Sequence, residues 1–156
     1  MSAIEIRCPI YGFVPLIPWE AEIVAQPAFQ RLRRIRQLGW TDAVYPGAMH
    51  TRFEHSLGVM HMATQLFDGI RSRDRELLRS MLGLEDAGLE RHRQLVRFAA
   101  LLHDVGHGPF SHAAEEVFPR VRDEVSARRF RQEEYSTAII RACFRDVIER
   151  HKANAN

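Results

Sequence analysis

Six of the eight histidines of this 156-residue chain lie in or close to two short stretches. The first reads His50-Thr-Arg-Phe-Glu-His55-Ser-Leu-Gly58, with His61 just beyond it. The second reads Leu102-His103-Asp104-Val-Gly-His107-Gly-Pro-Phe-Ser-His112. An adjacent His103-Asp104 near the end of an apolar helix is awkward as pure packing, because burying an unpaired aspartate is costly. A divalent cation removes that cost, since imidazole and carboxylate together suit Mn, Fe, Zn or, less well, Mg. Gly106 and Gly108 would let a substrate approach the backbone closely. Taken singly, a His-Asp pair is most often a helix end or a surface pair, and a lone His55 a hydrogen-bonded core histidine. The joint enrichment of both stretches in His, Gly and acid favours a site.

These residues need helices to hold them. Pro27 is a favoured first-turn residue, so a helix is expected from there to Gly39, burying Phe29, Leu32, Ile35 and Leu38 at every third position. A second helix is expected over Arg52–Ile70, with Phe53, Leu57, Met60, Phe67 and Ile70 on the buried face. A charged helix over Arg73–Leu82 and one over Leu89–Val105 follow; in the latter Leu95, Phe98, Ala99 and Leu102 repeat. Gly106, Gly108 and Pro109 must end it. Short helical structure is expected over Ser111–Phe118, and a last helix over Gln132–His151, with Tyr135, Ile139, Cys143 and Val147 in register. Prolines 9, 15 and 18 make the N-terminal stretch an extended arm or short edge strands. The expectation is an all-α helical bundle: an arm over 1–24, one domain over 25–151 and a polar tail over 152–156.

Composition excludes several classes. An apolar fraction of 46% rules out wholesale disorder, and no apolar run approaches a membrane span. Met1 to Arg7 carries Glu5 and no apolar signal region, so a cytoplasmic location is expected. Cys8 and Cys143, with no CxxC between them, suit reduced thiols. Net charge is +2, and 22 basic residues include a single lysine, Lys152. The Arg31–Arg36 run raises the idea of weak nucleic-acid binding, but a solvated helix face explains it more simply.

Pro27–Gly39, Val44–Ala48, His50–Gly58 and Leu101–His112 resemble, in order and spacing, the HD-domain phosphohydrolases. Within them the likeness is to the deoxynucleoside triphosphate triphosphohydrolase branch, which includes the dGTPases, and it runs from about Ile6 to Ile140. The resemblance implies an HD-domain bundle with a divalent metal on His55, His103 and Asp104. It places Arg52 on substrate phosphate, His107 beside the scissile phosphate, Glu115 in support of a catalytic histidine and Gln37 on the nucleotide sugar. His112 is carried over as a substrate-binding residue. The implied substrate is a dNTP, cleaved to deoxynucleoside and triphosphate, and family members generally assemble, so a homo-oligomer is expected. Arg52 would offset charge on the phosphate oxygens, and His107 could protonate the departing 5′ oxygen.

Three positions depart from the family pattern. Its fourth metal ligand, an Asp on a later helix, has no convincing counterpart; Asp146 comes too soon after Asp104 and is read as a surface partner of Arg145 or Arg150. The His-Glu-x-x-Ser/Thr motif reads Gln132-Glu-Glu-Tyr-Ser136, and glutamine carries no transferable proton. The Ile-His-Gly segment reads Ile10-Tyr11-Gly12. Part of a longer enzyme, or a short homologue with weakened catalysis, both fit. HD hydrolases of 5′-monophosphates or of cyclic or hyperphosphorylated guanosine nucleotides, and a non-catalytic nucleotide- or nucleic-acid-binding homologue, are the alternatives.

Overall fold

The computed structural model describes residues 4–121 and 128–150; the expected tail at 152–156 and His151 lie outside them. Its N-terminal part is a hairpin of β1 (Ile4–Cys8) and β2 (Gly12–Leu16), paired antiparallel with Ile4 opposite Leu16 and Cys8 opposite Gly12. Alternation along β2 buries Val14 and Leu16 and leaves Phe13 exposed. The proline-rich stretch is extended only that far. Pro18, at a first-turn position where its missing N–H costs nothing, opens a helix that the sequence reading did not single out, α1 (Pro18–Ala25).

The expected helix from Pro27 to Gly39 is shorter and tighter. A single turn, α2 (Pro27–Gln30), passes into a 3₁₀ turn over Arg31–Arg34, and Ile35 is extended. The apolar spacing of three is the period of a 3₁₀ helix, so Phe29, Leu32 and Ile35 are buried as expected. Leu38, beyond the extended residue, is exposed. An isolated bridge pairs Arg36 with Thr51, and the Arg52 N–H donates to the Ile35 carbonyl at 2.9 Å. This short ladder hands the chain to α3 (Arg52–Arg73), whose start is closed by a capping box: Glu54 Oε2 accepts from the Thr51 N–H at 2.7 Å while the Thr51 hydroxyl accepts from the Glu54 N–H.

Two further helices follow, α4 (Arg75–Leu82), with no buried residue and closed by left-handed Gly83, and α5 (Asp86–Leu102). The core lies between α3, α5, the hairpin and α1, and includes Phe53, Leu57, Met60, Leu101, Leu102 and Val105. Three residues expected on buried faces, Ile70, Leu95 and Ala99, are exposed instead. The last helical stretch is α6 (Gln132–Ile139), a π turn over Ile140–Phe144 and α7 (Arg145–Glu149). The extra residue of the π turn shifts the inward register by one, so Phe144 enters the core and Cys143 is exposed. Cys8 and Cys143 are both free thiols. Among the described residues no helix is long and apolar enough to cross a membrane. The helical bundle expected from the sequence is present, with one two-stranded hairpin added.

Candidate metal centre

Two chain segments meet at Asp104. The ladder at Ile35 fixes where α3 begins, which puts Arg52 in its first turn and His55 one turn further along. Helix α5 ends at Leu102, and His103 to His107 form a tight turn with Val105 N–H on Leu102 O and His107 N–H on Asp104 O, both at 3.1 Å. Asp104 is buried, and four side chains converge on its carboxylate. Arg52 Nη1 lies 2.5 Å and His55 Nε2 3.5 Å from Oδ2. The Nε2 atoms of His103 and His107 lie 3.2 and 3.5 Å from Oδ1.

His55, His103 and Asp104 each offer one ligand atom, all within 4.8 Å of one another. The donor chemistry fits a divalent cation: two imidazoles and a carboxylate, the mixed set expected of Mn, Fe or Zn. The outer contacts fit as well. His103 Nδ1 sits 2.8 Å from the Ala100 carbonyl, which assigns the proton to Nδ1 and leaves the Nε2 lone pair facing the cluster. Burial, the largest influence, outweighs the opposing pull of Asp104 and lowers the His55 pKa, favouring the neutral imidazole a metal requires.

His107 differs from the other two imidazoles. It is buried, and burial together with the Arg52 charge pushes its pKa down to about 4. Its ring packs edge-on against that of His112, centroids 5.0 Å apart, and His112 Nδ1 lies 2.9 Å from Glu115 Oε1. His107, His112 and Glu115 therefore form a chain leading outward from Asp104. Gln37 is held beside α3 by its N–H on the His50 carbonyl at 3.0 Å, and its side-chain Oε1 is buried without a hydrogen-bond partner among the described residues. His55 also lines a cavity of about 700 Å³ walled by Ile10, Tyr11, Val59 and Met62, among others.

Other positions take plain structural roles. Asp146 is exposed and paired with Arg150 at 2.7 Å. Gln132 is buried, and its Oε1 accepts from the Ser136 hydroxyl at 3.3 Å. The Arg31–Arg36 run is no uniform solvated face: Arg31 donates to the Val105 and His107 carbonyls, Arg33 lies over the Phe53 ring at 3.6 Å, and Arg36 pairs with Asp42. Sequence reasoning missed Arg31 as a partner of the ligand turn. A run of four arginines does not mark which one points inward; only the burial of its neighbour Leu32 hints at the local geometry.

An HD domain family model matches residues 52–153. The chain is 45% identical over 121 residues to human deoxynucleoside triphosphate triphosphohydrolase SAMHD1, covering 77% of this chain and 18% of that protein. It is 37% identical over 131 residues to the Dictyostelium discoideum SAMHD1 homolog, covering 84% of this chain and 23% of that one. An uncharacterized protein of Methanocaldococcus jannaschii is 43% identical over 121 residues, which cover 74% of this chain and 23% of that one. The crystal structure of a hypothetical protein from Aquifex aeolicus superposes with a TM-score of 0.71 at 32% identity, over 95% of this chain and 33% of that one. The chain thus spans less than a quarter of the length of these curated relatives.

Proposed function

Since the chain belongs to the HD-domain family, we propose that it is a divalent-metal-dependent phosphohydrolase acting on deoxynucleoside triphosphates. The observation that carries this reading is the convergence of His55, His103 and Asp104 ligand atoms within 4.8 Å, with Arg52 on the same carboxylate. The substrate class rests on the relatives named as dNTP triphosphohydrolases, each matched over part of its length.

His55, His103 and Asp104 would hold the ion, which when bound lowers the pKa of water and polarises a phosphoryl oxygen. Arg52 supplies a fixed positive charge against the oxygens of the phosphate under attack. His107, neutral at pH 7, suits a hydrogen-bonding role toward that phosphate better than the supply of a proton. The proton for the departing 5′ oxygen falls to His112, whose ring Glu115 orients at 2.9 Å. Gln37, with an unused buried oxygen, takes a hydroxyl of the sugar.

A second reading is a nucleotide-binding homologue with weakened turnover. It is favoured by Gln132, which stands where the family pattern has a histidine and is bonded within the chain. One experiment separates them. The chain loaded with Mn²⁺ is incubated with each dNTP, and products are resolved by phosphorus NMR. Deoxynucleoside plus intact triphosphate is expected. Single phosphate would redirect the substrate class, and dNTP binding without any release would establish the second reading.

A further inference from the structure

The turn that carries three of the imidazole and carboxylate groups is held by two side chains from elsewhere in the chain. Residues 103–107 follow the end of α5, so their backbone groups lack a continuing helical ladder. Arg31, from the 3₁₀ turn, donates through Nη1 to the His107 carbonyl at 2.7 Å and through Nη2 to the Val105 carbonyl. From a later element, the Ser136 hydroxyl of α6 accepts the Gly106 N–H at 2.8 Å. Its own proton points to the His103 carbonyl at 3.2 Å or to Gln132 Oε1 at 3.3 Å. Three of the five residues in the turn thus have a main-chain group tied to Arg31 or Ser136, and His103 makes a fourth when the Ser136 proton turns to its carbonyl.

Gly106 makes the second tie close. A Cβ there would overlap the Gln132 carbonyl oxygen and the Ser136 nitrogen, and would stand 2.6 Å from the Ser136 hydroxyl. Helix α6 therefore approaches the turn at backbone distance, which only glycine permits. The fork of Arg31 spans two carbonyls at once, a match that a point charge such as Lys cannot make. Burial lowers the Arg31 pKa, and the two carbonyls it meets are main-chain groups rather than acids, so its place in the turn is that of a brace.

We propose that Arg31 and Ser136 are positioning residues: they clamp the 103–107 turn from two separate elements and fix His103 and Asp104 in the orientation that binds the metal before the metal arrives. This rests on the metal-site reading above. Side chains that ligate or act together must be held to within about 0.5 Å, and the turn's own backbone bonds leave the Gly106 N–H and the Val105 and His107 carbonyls to be tied from outside.

Cobalt(II) is a suitable probe, because its visible spectrum reports ligand geometry and titrates affinity without any turnover. The full chain is compared with Ser136→Ala, Ser136→Thr and Arg31→Lys, with helicity and melting temperature of each metal-free protein measured alongside. Loss of the clamp is expected to weaken cobalt affinity about 10–100-fold in Ser136→Ala and Arg31→Lys, as other outer contacts to ligands do. Ser136→Thr, which keeps the hydroxyl, is expected to restore it. A purely structural role would lower the melting temperature and leave the affinity and spectrum of the folded protein unchanged, and that result overturns the clamp. Hydrogen exchange at the Gly106 amide needs no variant. Protection in the metal-free wild type is expected, and protection appearing only with cobalt overturns preorganisation. If wild type takes up no cobalt, the metal site itself is refuted and the clamp with it; wild type binding as tightly as its variants refutes the clamp alone.

Discussion

Glu20 and Asp104 are both buried acids that meet an arginine, and what surrounds each pair differs. Glu20, fully buried, receives Nε and Nη2 of Arg97 in a two-pronged contact, each at 2.6 Å. Arg97 then gives its remaining donors to Thr64 Oγ1 at 2.9 Å and the Pro15 carbonyl at 3.0 Å. That set ties β2, α1, α3 and α5 together, and it engages all three guanidinium nitrogens of Arg97. Asp104 receives one arginine nitrogen and faces three imidazoles whose nearest atoms stand at 3.2–3.5 Å. These are longer than hydrogen bonds at their best. Full pairing makes a strut; convergent lone pairs that cannot satisfy one another make a place for a cation.

The largest expected effect breaks that second set. Asp104→Ala removes a ligand, so bound metal measured by elemental analysis should fall to background and any hydrolysis with it, while helicity is retained. Full metal content in the variant would show that the ion, if any, is held elsewhere. The next effect breaks the strut. Glu20→Ala leaves Arg97 charged in a buried position, which typically costs about 3–5 kcal/mol. Chemical denaturation should register that loss, with metal content per folded chain unchanged. A Glu20→Ala chain that is stable but metal-free would erase the distinction between the two carboxylates.

Much of this contrast was legible in the sequence on one side only. His55, His103, Asp104 and His107 stand out because histidines beside an acid and glycines have little reason to punctuate apolar helices. Glu20 and Arg97 lie 77 positions apart in stretches with no unusual composition, and their pairing is decided by tertiary packing alone. The same holds for backbone register. Phe29, Leu32 and Ile35 repeat at three, and that period belongs to the 3₁₀ turn, while it predicts a helix running on to Gly39 that the chain does not form. The π turn at 140–144 has no equivalent mark: Tyr135, Ile139 and Cys143 fit an unbroken α-helix, yet Phe144 takes the core position and Cys143 is exposed. Local patterns reveal candidate ligands and periods. They do not reveal which distant residue completes a buried pair.

A smaller effect sharpens the comparison through pH. His107 is held neutral in the folded chain down to about 4, against 6.5 for an unperturbed histidine. Between those values the unfolded chain binds a proton that the folded chain refuses, so stability falls as pH drops from 6.5 toward 4. The metal-free protein should therefore melt at a lower temperature at pH 4.5 than at pH 7, and His107→Gln, which cannot titrate, should lessen the difference. Equal slopes in the two proteins would mean that His107 is not buried as a neutral ring.

The smallest effect concerns the other acid near a helix end, Asp146. Asp146 is exposed, one turn before Arg150, and pairs with it at 2.7 Å. Exposed pairs at this spacing on a helix contribute only about 0.3–0.5 kcal/mol, because both partners are already well solvated. Asp146→Ala should therefore move stability by about that much or less and leave cobalt affinity untouched. Its value lies in the asymmetry with Asp104. Both are aspartates near the end of helical structure, but of the two Asp104 is the one buried among imidazoles, an environment that suits a carboxylate to bind a cation. A drop in cobalt affinity on replacing Asp146 would place a metal ligand on α7, outside the cluster, and would require the two segments to meet differently.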